Sequence, residues 1–236
     1  MLGVKELNLN GKYDPTIADE LYYFTSLQRL SVDYNEIERL DLSYMEELQE
    51  LSCNWNNLKE LILPNKCEFL TGISAIDNQL TSLDLDGCSN LSYLRLESNQ
   101  LSYIDLSMCS SLLDLNLADN QLTSIDLKDN GQLQSLNLLY NQLSSILVNY
   151  HPELEYICCT ENHLRSLILA NPGLGLWNLS GKDLGTALLL GGQTNMNDGT
   201  PQTVDVRIPS SVLDKVKSAV EEYSPILNAN VEFVGV

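Results

Sequence analysis

The chain has 236 residues, 44% of them hydrophobic, which is enough for one large domain with a substantial core. Its 13 basic and 32 acidic residues leave a net charge of −19, which repels phosphate backbones and anionic bilayers, so neither nucleic acid nor membrane insertion is expected. No apolar run approaches the roughly 20 residues that span a bilayer, and the opening stretch Met1–Glu6 lacks the apolar segment of a signal peptide.

Residues 1–26 form an atypical first unit. Leu7-Asn8-Leu9 has the alternation of a strand, Lys12 follows it, and 23 residues separate Leu7 from Leu30, its counterpart in the next unit. A longer, irregular unit suits the end of a stack, where one face has no neighbour. From residue 27 to 182 one phrase repeats, apolar-x-x-apolar-x-apolar-x-x-Asn-x-apolar. Its asparagines are Asn35, Asn56, Asn78, Asn99, Asn120, Asn141 and Asn162, separated by 21 or 22 residues. A period of this kind marks a solenoid, one supersecondary unit stacked repeatedly.

Each unit predicts a short strand centred on Ser31, Ser52, Ser74, Arg95, Asn116, Asn137, Cys158 or Asn178, with the flanking apolar residues pointing inward. The asparagine bends the chain out of the strand, and its buried amide can satisfy backbone groups of the turn and the next coil. A second apolar pair follows, as in Leu83-Asp84-Leu85 and Ile125-Asp126-Leu127. Twenty-one residues leave little room for a convex helix, so short extended or 3₁₀ segments are expected there. The last strand, Trp177-Asn178-Leu179, is followed by Lys182 in the asparagine place, mirroring the first unit.

Residues 183–236 depart from the period. Val204, Val206 and Ile208 alternate like a strand. A helix starting at Pro209 carries Val212, Val216, Val220 and Tyr223 on one face, and Val231–Val234 reads as a second strand. A β-α-β cap over the otherwise adhesive edge of the last coil is the expected arrangement.

These units resemble those of bacterial leucine-rich repeat proteins, and in particular the 21-residue, internalin-J-like subclass. The match is plainest from Leu112 through Asn130, LLDLNLADNQLTSIDLKDN. The resemblance implies a leucine-rich repeat solenoid: a β-rich right-handed superhelix with a concave parallel sheet of about nine strands, little convex helix, and a small α/β cap at the C-terminal end. It also implies a secreted or surface-attached adhesion or binding module. Cysteine at positions 53 and 159, in the apolar place of the strand, is a habit of that subclass. Cys67, Cys88 and Cys109 likewise share one repeat position. Repeat positions account for five of the six cysteines, so they read as packed thiols rather than a disulfide framework.

Motifs for nucleotide, dinucleotide or zinc chemistry are missing, so no enzyme, metal or cofactor is expected. His151 and His163 stand where other units carry Asn and Gln. Cys158, in the middle of a strand, is predicted to be exposed on the concave sheet. The convex row Asp84, Asp105 and Asp126, with Asp41 further along, stacks like charges. Either a cation or local turn hydrogen bonds would offset the repulsion.

The concave sheet is the best binding candidate, because its outward positions vary while the inward ones stay apolar. Aromatic and charged residues there suit a protein ligand, one that the negative charge makes basic. The candidate ligand-binding residues are Tyr34, Trp55, Tyr93, Arg95, Glu97, Tyr140, Tyr156 and Glu161. A second reading keeps the fold but places it inside the cell, as an acidic inhibitor or immunity-type partner of a basic protein.

Overall fold

The computed structural model describes residues 3–169, 188–189, 203–208 and 230–235. Its strands in chain order are β1 Glu6–Asn8, β2 Arg29–Ser31, β3 Arg39–Asp41, β4 Glu50–Ser52, β5 Glu60–Ile62, β6 Gly72–Ser74, β7 Tyr93–Arg95, β8 Asp114–Asn116, β9 Ser135–Asn137, β10 Ser145–Val148, β11 Tyr156–Cys158, β12 Ser166–Leu169, β13 Leu188–Leu189, β14 Thr203–Ile208 and β15 Asn230–Gly235. A 3₁₀ turn, Ile17–Tyr23, fills the long first unit. The strands of the concave sheet within the repeats are centred on the second apolar residue of each phrase, one residue earlier than the spacing suggests, and the faces are unchanged.

Among the described residues nine strands form one parallel sheet in the order β1-β2-β4-β6-β7-β8-β9-β11-β13. Register follows the period, so Leu30 sits beside Leu51, Leu94 beside Leu115, and Leu115 beside Leu136. Two apolar columns run under this sheet. The first is Leu30, Leu51, Ile73, Leu94, Leu115, Leu136 and Ile157; the second is Val32, Cys53, Ala75, Leu96, Leu117, Leu138 and Cys159. All are buried. Cys53 and Cys159 thus do the packing of a leucine, and burial pushes both thiols well above their ordinary pKa, keeping them neutral. All six cysteines are buried.

The repeating asparagines form a hydrogen-bonded column. Asn120 shows the pattern: Nδ2 donates to Leu117 O and Ala118 O of its own turn and to Leu96 O of the coil before, while Oδ1 accepts from Leu101 N of that coil. One side chain therefore closes its own bend and ties two coils together. Every ladder asparagine from Asn35 to Asn162 does the same, and at the N-terminal end Asn35 Oδ1 accepts from Lys12 N.

The residue before each asparagine has a left-handed backbone. Tyr34, Trp55, Asp77, Ser98, Asp119, Tyr140 and Glu161 have φ between 50° and 56°. For a side-chain-bearing residue this conformation costs about 1–2 kcal/mol, and it recurs because the turn aims the next amide inward. Gly11, with φ 65°, holds the same place in the first unit.

On the convex side β3 pairs with β5, and β10, β12, β14 and β15 form a four-stranded sheet, all parallel. The runs Ser145-Ile-Leu-Val and Ser166-Leu-Ile-Leu are the most β-prone of the convex segments and give its longest strands within the repeats. Each convex aspartate closes a local turn: Asp41, Asp84, Asp105 and Asp126 accept from the backbone N of Ser43, Asp86, Ser107 and Lys128. Asp41 and Asp126 are in addition paired with Arg39 and Lys128.

The tail differs from expectation in one respect. The place beside β11 belongs to Leu188–Leu189, which pairs with Ile157 and Cys158, although the spacing assigns it to residues 177–179. Residues 177–179 and Lys182 lie outside the described residues, as does the helix expected from Pro209. An edge asks of its neighbour only an extended backbone, so an apolar run outside the repeat phrase serves. The strands expected at 204–208 and 231–234 are present: β14 pairs with the edge of β12 on the convex side, and β15 pairs with β14.

His151 occupies the convex place of Asn130. It is 1% exposed, and its Nε2 lies 3.0 Å from Leu127 O. Asn130 Nδ2 donates to Leu106 O and Cys109 O at the equivalent point. Burial lowers the pKa of His151 from its usual 6.5, so below that value the unfolded chain takes up a proton that the native ring refuses. Stability is then fully present above pH 6.5 and falls as the pH drops toward the lowered native pKa. Urea midpoints measured on either side of that pH are expected to show this loss in the wild type. A His151→Asn variant is expected to lack the histidine's share of it.

Candidate functional site

In the N-terminal half of the concave sheet the outward residues form one continuous chain of side-chain bonds to successive coils. Asn10 Oδ1 accepts from Ser31 Oγ and Asp33 N; Asp33 accepts from Ser52 Oγ and Asn54 N; Asn54 Oδ1 accepts from Ser74 Oγ and Ile76 N. Each acidic or amide side chain thus serves the next coil, a second polar chain parallel to the asparagine column. It stops at Ile76, which has no acceptor to offer. Beyond it the Oδ1 atoms of Asn116 and Asn137 accept from Ala118 N and Leu139 N of their own coils, while Asn116 Nδ2 donates back to Glu97 of the coil before.

Above that bonded floor lies a hollow of about 420 Å³, rimmed by Glu6, Arg29, Glu50 and Tyr93. Its shape depends on Gly72. A Cβ there would lie 1.7 Å from Tyr93 Cζ and 2.1 Å from the Tyr93 hydroxyl oxygen, so the ring leans back across the glycine toward Glu50. Burial, and then the Glu50 carboxylate, raise the pKa of the Tyr93 phenol. Arg29 is paired with Glu6.

The candidate residues fall into separate groups. Tyr34 and Trp55 stack face to face, ring centroids 4.5 Å apart and planes 6° from parallel, while remaining 46% and 41% exposed. Tyr93 walls the hollow. Arg95 is tied to Asp114, Nη2 to Oδ2 2.8 Å. Glu97 Oε1 accepts from Asn116 Nδ2 at 3.0 Å, whereas its Oε2 is buried with no hydrogen-bond partner, and burial raises its pKa above the usual carboxylate value. Tyr140 is exposed. Tyr156 is half-buried, and burial pushes its phenol up to about 12. Glu161 is exposed in the turn row. The structure brings Tyr34 to Trp55, but it does not gather all eight into one patch.

Cys158 corrects the sequence reading. Its position on the concave sheet is as expected, yet it is 4% exposed rather than open, with Sγ 3.6 Å from Thr160 Oγ1. β9 and β13 lie on either side of it, and Tyr156 and Thr160 flank it along the strand. A thiol enclosed in this way is a poor nucleophile candidate.

No protein-family model and no curated protein matches the chain. Among solved structures, the functional domain of InlJ from Listeria monocytogenes superposes with a TM-score of 0.70 at 20% identity, covering 98% of this chain and 58% of that one. The internalin InlF from the same organism gives 0.63 at 21%, covering 99% and 62%. This is an internalin-like leucine-rich repeat fold. YopM, a leucine-rich effector protein from Yersinia pestis, aligns over 73% of this chain and 45% of its own, with a TM-score of 0.59 at 26% identity. The chain spans 45–62% of the length of these three structures. InlJ includes a cysteine ladder. In this internalin-like solenoid Cys67, Cys88 and Cys109 hold equivalent places in three consecutive coils, and burial pushes the Cys109 thiol up to about 11.

Two features of the face escape the sequence reading. The Asn10–Asp33–Asn54 chain has a signal, a hydrogen-bonding side chain recurring two residues after Asn8, Ser31 and Ser52. The left-handed row has almost none, because Tyr, Trp and Glu do not announce that conformation.

Proposed function

We propose that the chain is a non-catalytic protein-binding module that recognises a protein ligand through its concave sheet, in a bacterial surface or secreted protein. The observation that carries this reading is the exposed Tyr34–Trp55 stack beside the sheet, with Tyr93 and Tyr156 half-exposed on the same face. Aromatic surface held rigidly on a repeating frame is characteristic of interaction hot spots. The internalin-like fold supports the reading. Among the described residues, no helix is long and apolar enough to cross a membrane.

A Tyr93→Ala/Tyr156→Ala double variant, compared with the wild type in pull-down from host or bacterial extracts, is expected to lose the captured ligand. Undiminished capture would place the site elsewhere. The net charge of −19 favours a second reading, an acidic intracellular partner of a basic protein. A signal peptide or lipobox at the head of the native gene excludes that alternative.

A further inference from the structure

Within the concave face, the hollow at its N-terminal half has one uncommitted charged group. The Glu50 carboxylate makes no hydrogen bond or ion pair among the described residues, whereas Arg29 is bonded to Glu6. The floor is closed to further bonding, since Ser52 already donates to Asp33. A ligand entering the hollow therefore meets the unpaired Glu50 carboxylate and the half-buried ring of Tyr93 as a wall. An unpaired carboxylate beside an aromatic face selects a cation, and a planar one can pair with Glu50 while stacking on the ring.

We propose that this hollow receives an arginine side chain of the partner protein. Arginine fits better than lysine, because its flat guanidinium can meet a carboxylate through two N–H groups and lie against an aromatic ring at once. The net charge of −19 draws a basic surface to the same place. Gly72 is the positioning residue: without it, Tyr93 could not cross the row toward Glu50. The assignment rests on the concave-face reading and names the residue type that reading leaves open.

The test uses the whole chain, with Nα-acetyl-L-arginine amide as the probe and its neutral isostere Nα-acetyl-L-citrulline amide as the control. NMR titration is expected to shift resonances of Glu50, Gly72 and Tyr93 with the arginine probe and to leave them in place with citrulline. Glu50→Gln, an exposed substitution that keeps the fold, is expected to weaken arginine binding about tenfold. Gly72→Ala, which expels the Tyr93 ring, is expected to abolish it. Equal response to citrulline, no response to arginine, or unchanged affinity in Glu50→Gln would overturn the assignment. If the arginine probe fails while the Tyr93/Tyr156 double variant still loses its protein ligand, the concave-face reading survives and only the hollow is wrong.

Discussion

Replacing Asn120 with alanine is expected to destabilise the protein by about 3–5 kcal/mol, because it strands several buried backbone groups at once. Leu101 N–H loses its acceptor at 2.9 Å, and the carbonyls of Leu96, Leu117 and Ala118 lose their shared donor. None of these groups can turn to water without opening the turn. Urea denaturation followed by circular dichroism would show the effect as a lower midpoint. The same change at Asn35 should cost about half as much. There the Oδ1 partner is Lys12 N of the terminal coil, which is only part-buried. Equal effects at both positions would argue against a column whose strength comes from stacking.

Leu115→Ala is expected to cost about 2–5 kcal/mol, the range for truncating a leucine in a close-packed core. Leu115 is fully buried, and its strand neighbours in register are Leu94 and Leu136. Neither can move into the space, since each is held in its own coil by the asparagine column. Leu7→Ala, the equivalent change in the first unit, is expected to cost about 1 kcal/mol, because Leu7 is only partly buried and has a neighbour on one side alone. The ratio of the two midpoint shifts measures how strongly an interior coil depends on both neighbours.

Both predictions concern positions that were readable in advance, and for the same reason. Leu115 and Asn120 are buried at a fixed point of every coil, so packing and hydrogen bonding admit few residue types and the period becomes visible. The outward face obeys no such filter. Ser31, Asp33, Ser52 and Asn54 look like free surface residues, yet they are bonded across coils, because their partners lie about 21 residues away and no local pattern announces them. Cys158 has the strand position of an exposed residue and is nonetheless covered. Leu188–Leu189 lacks the phrase altogether and still completes the sheet, since main-chain pairing places little demand on sequence. The candidate site was therefore legible as a face, and its division into a bonded floor, a hollow and a stacked aromatic pair was not.

The left-handed row limits what this surface can become. Seven consecutive coils hold a non-glycine residue there at φ 50–56°, and none of them is valine, isoleucine or threonine. Branching at the β-carbon is the feature that backbone region tolerates least. The vocabulary open to recognition along that margin is accordingly narrow: rings, amides, acids and small hydroxyls can be exchanged freely, whereas a stubby branched aliphatic would distort the bend. A library built to redirect binding should diversify the strand positions broadly and restrict this margin to the tolerated types.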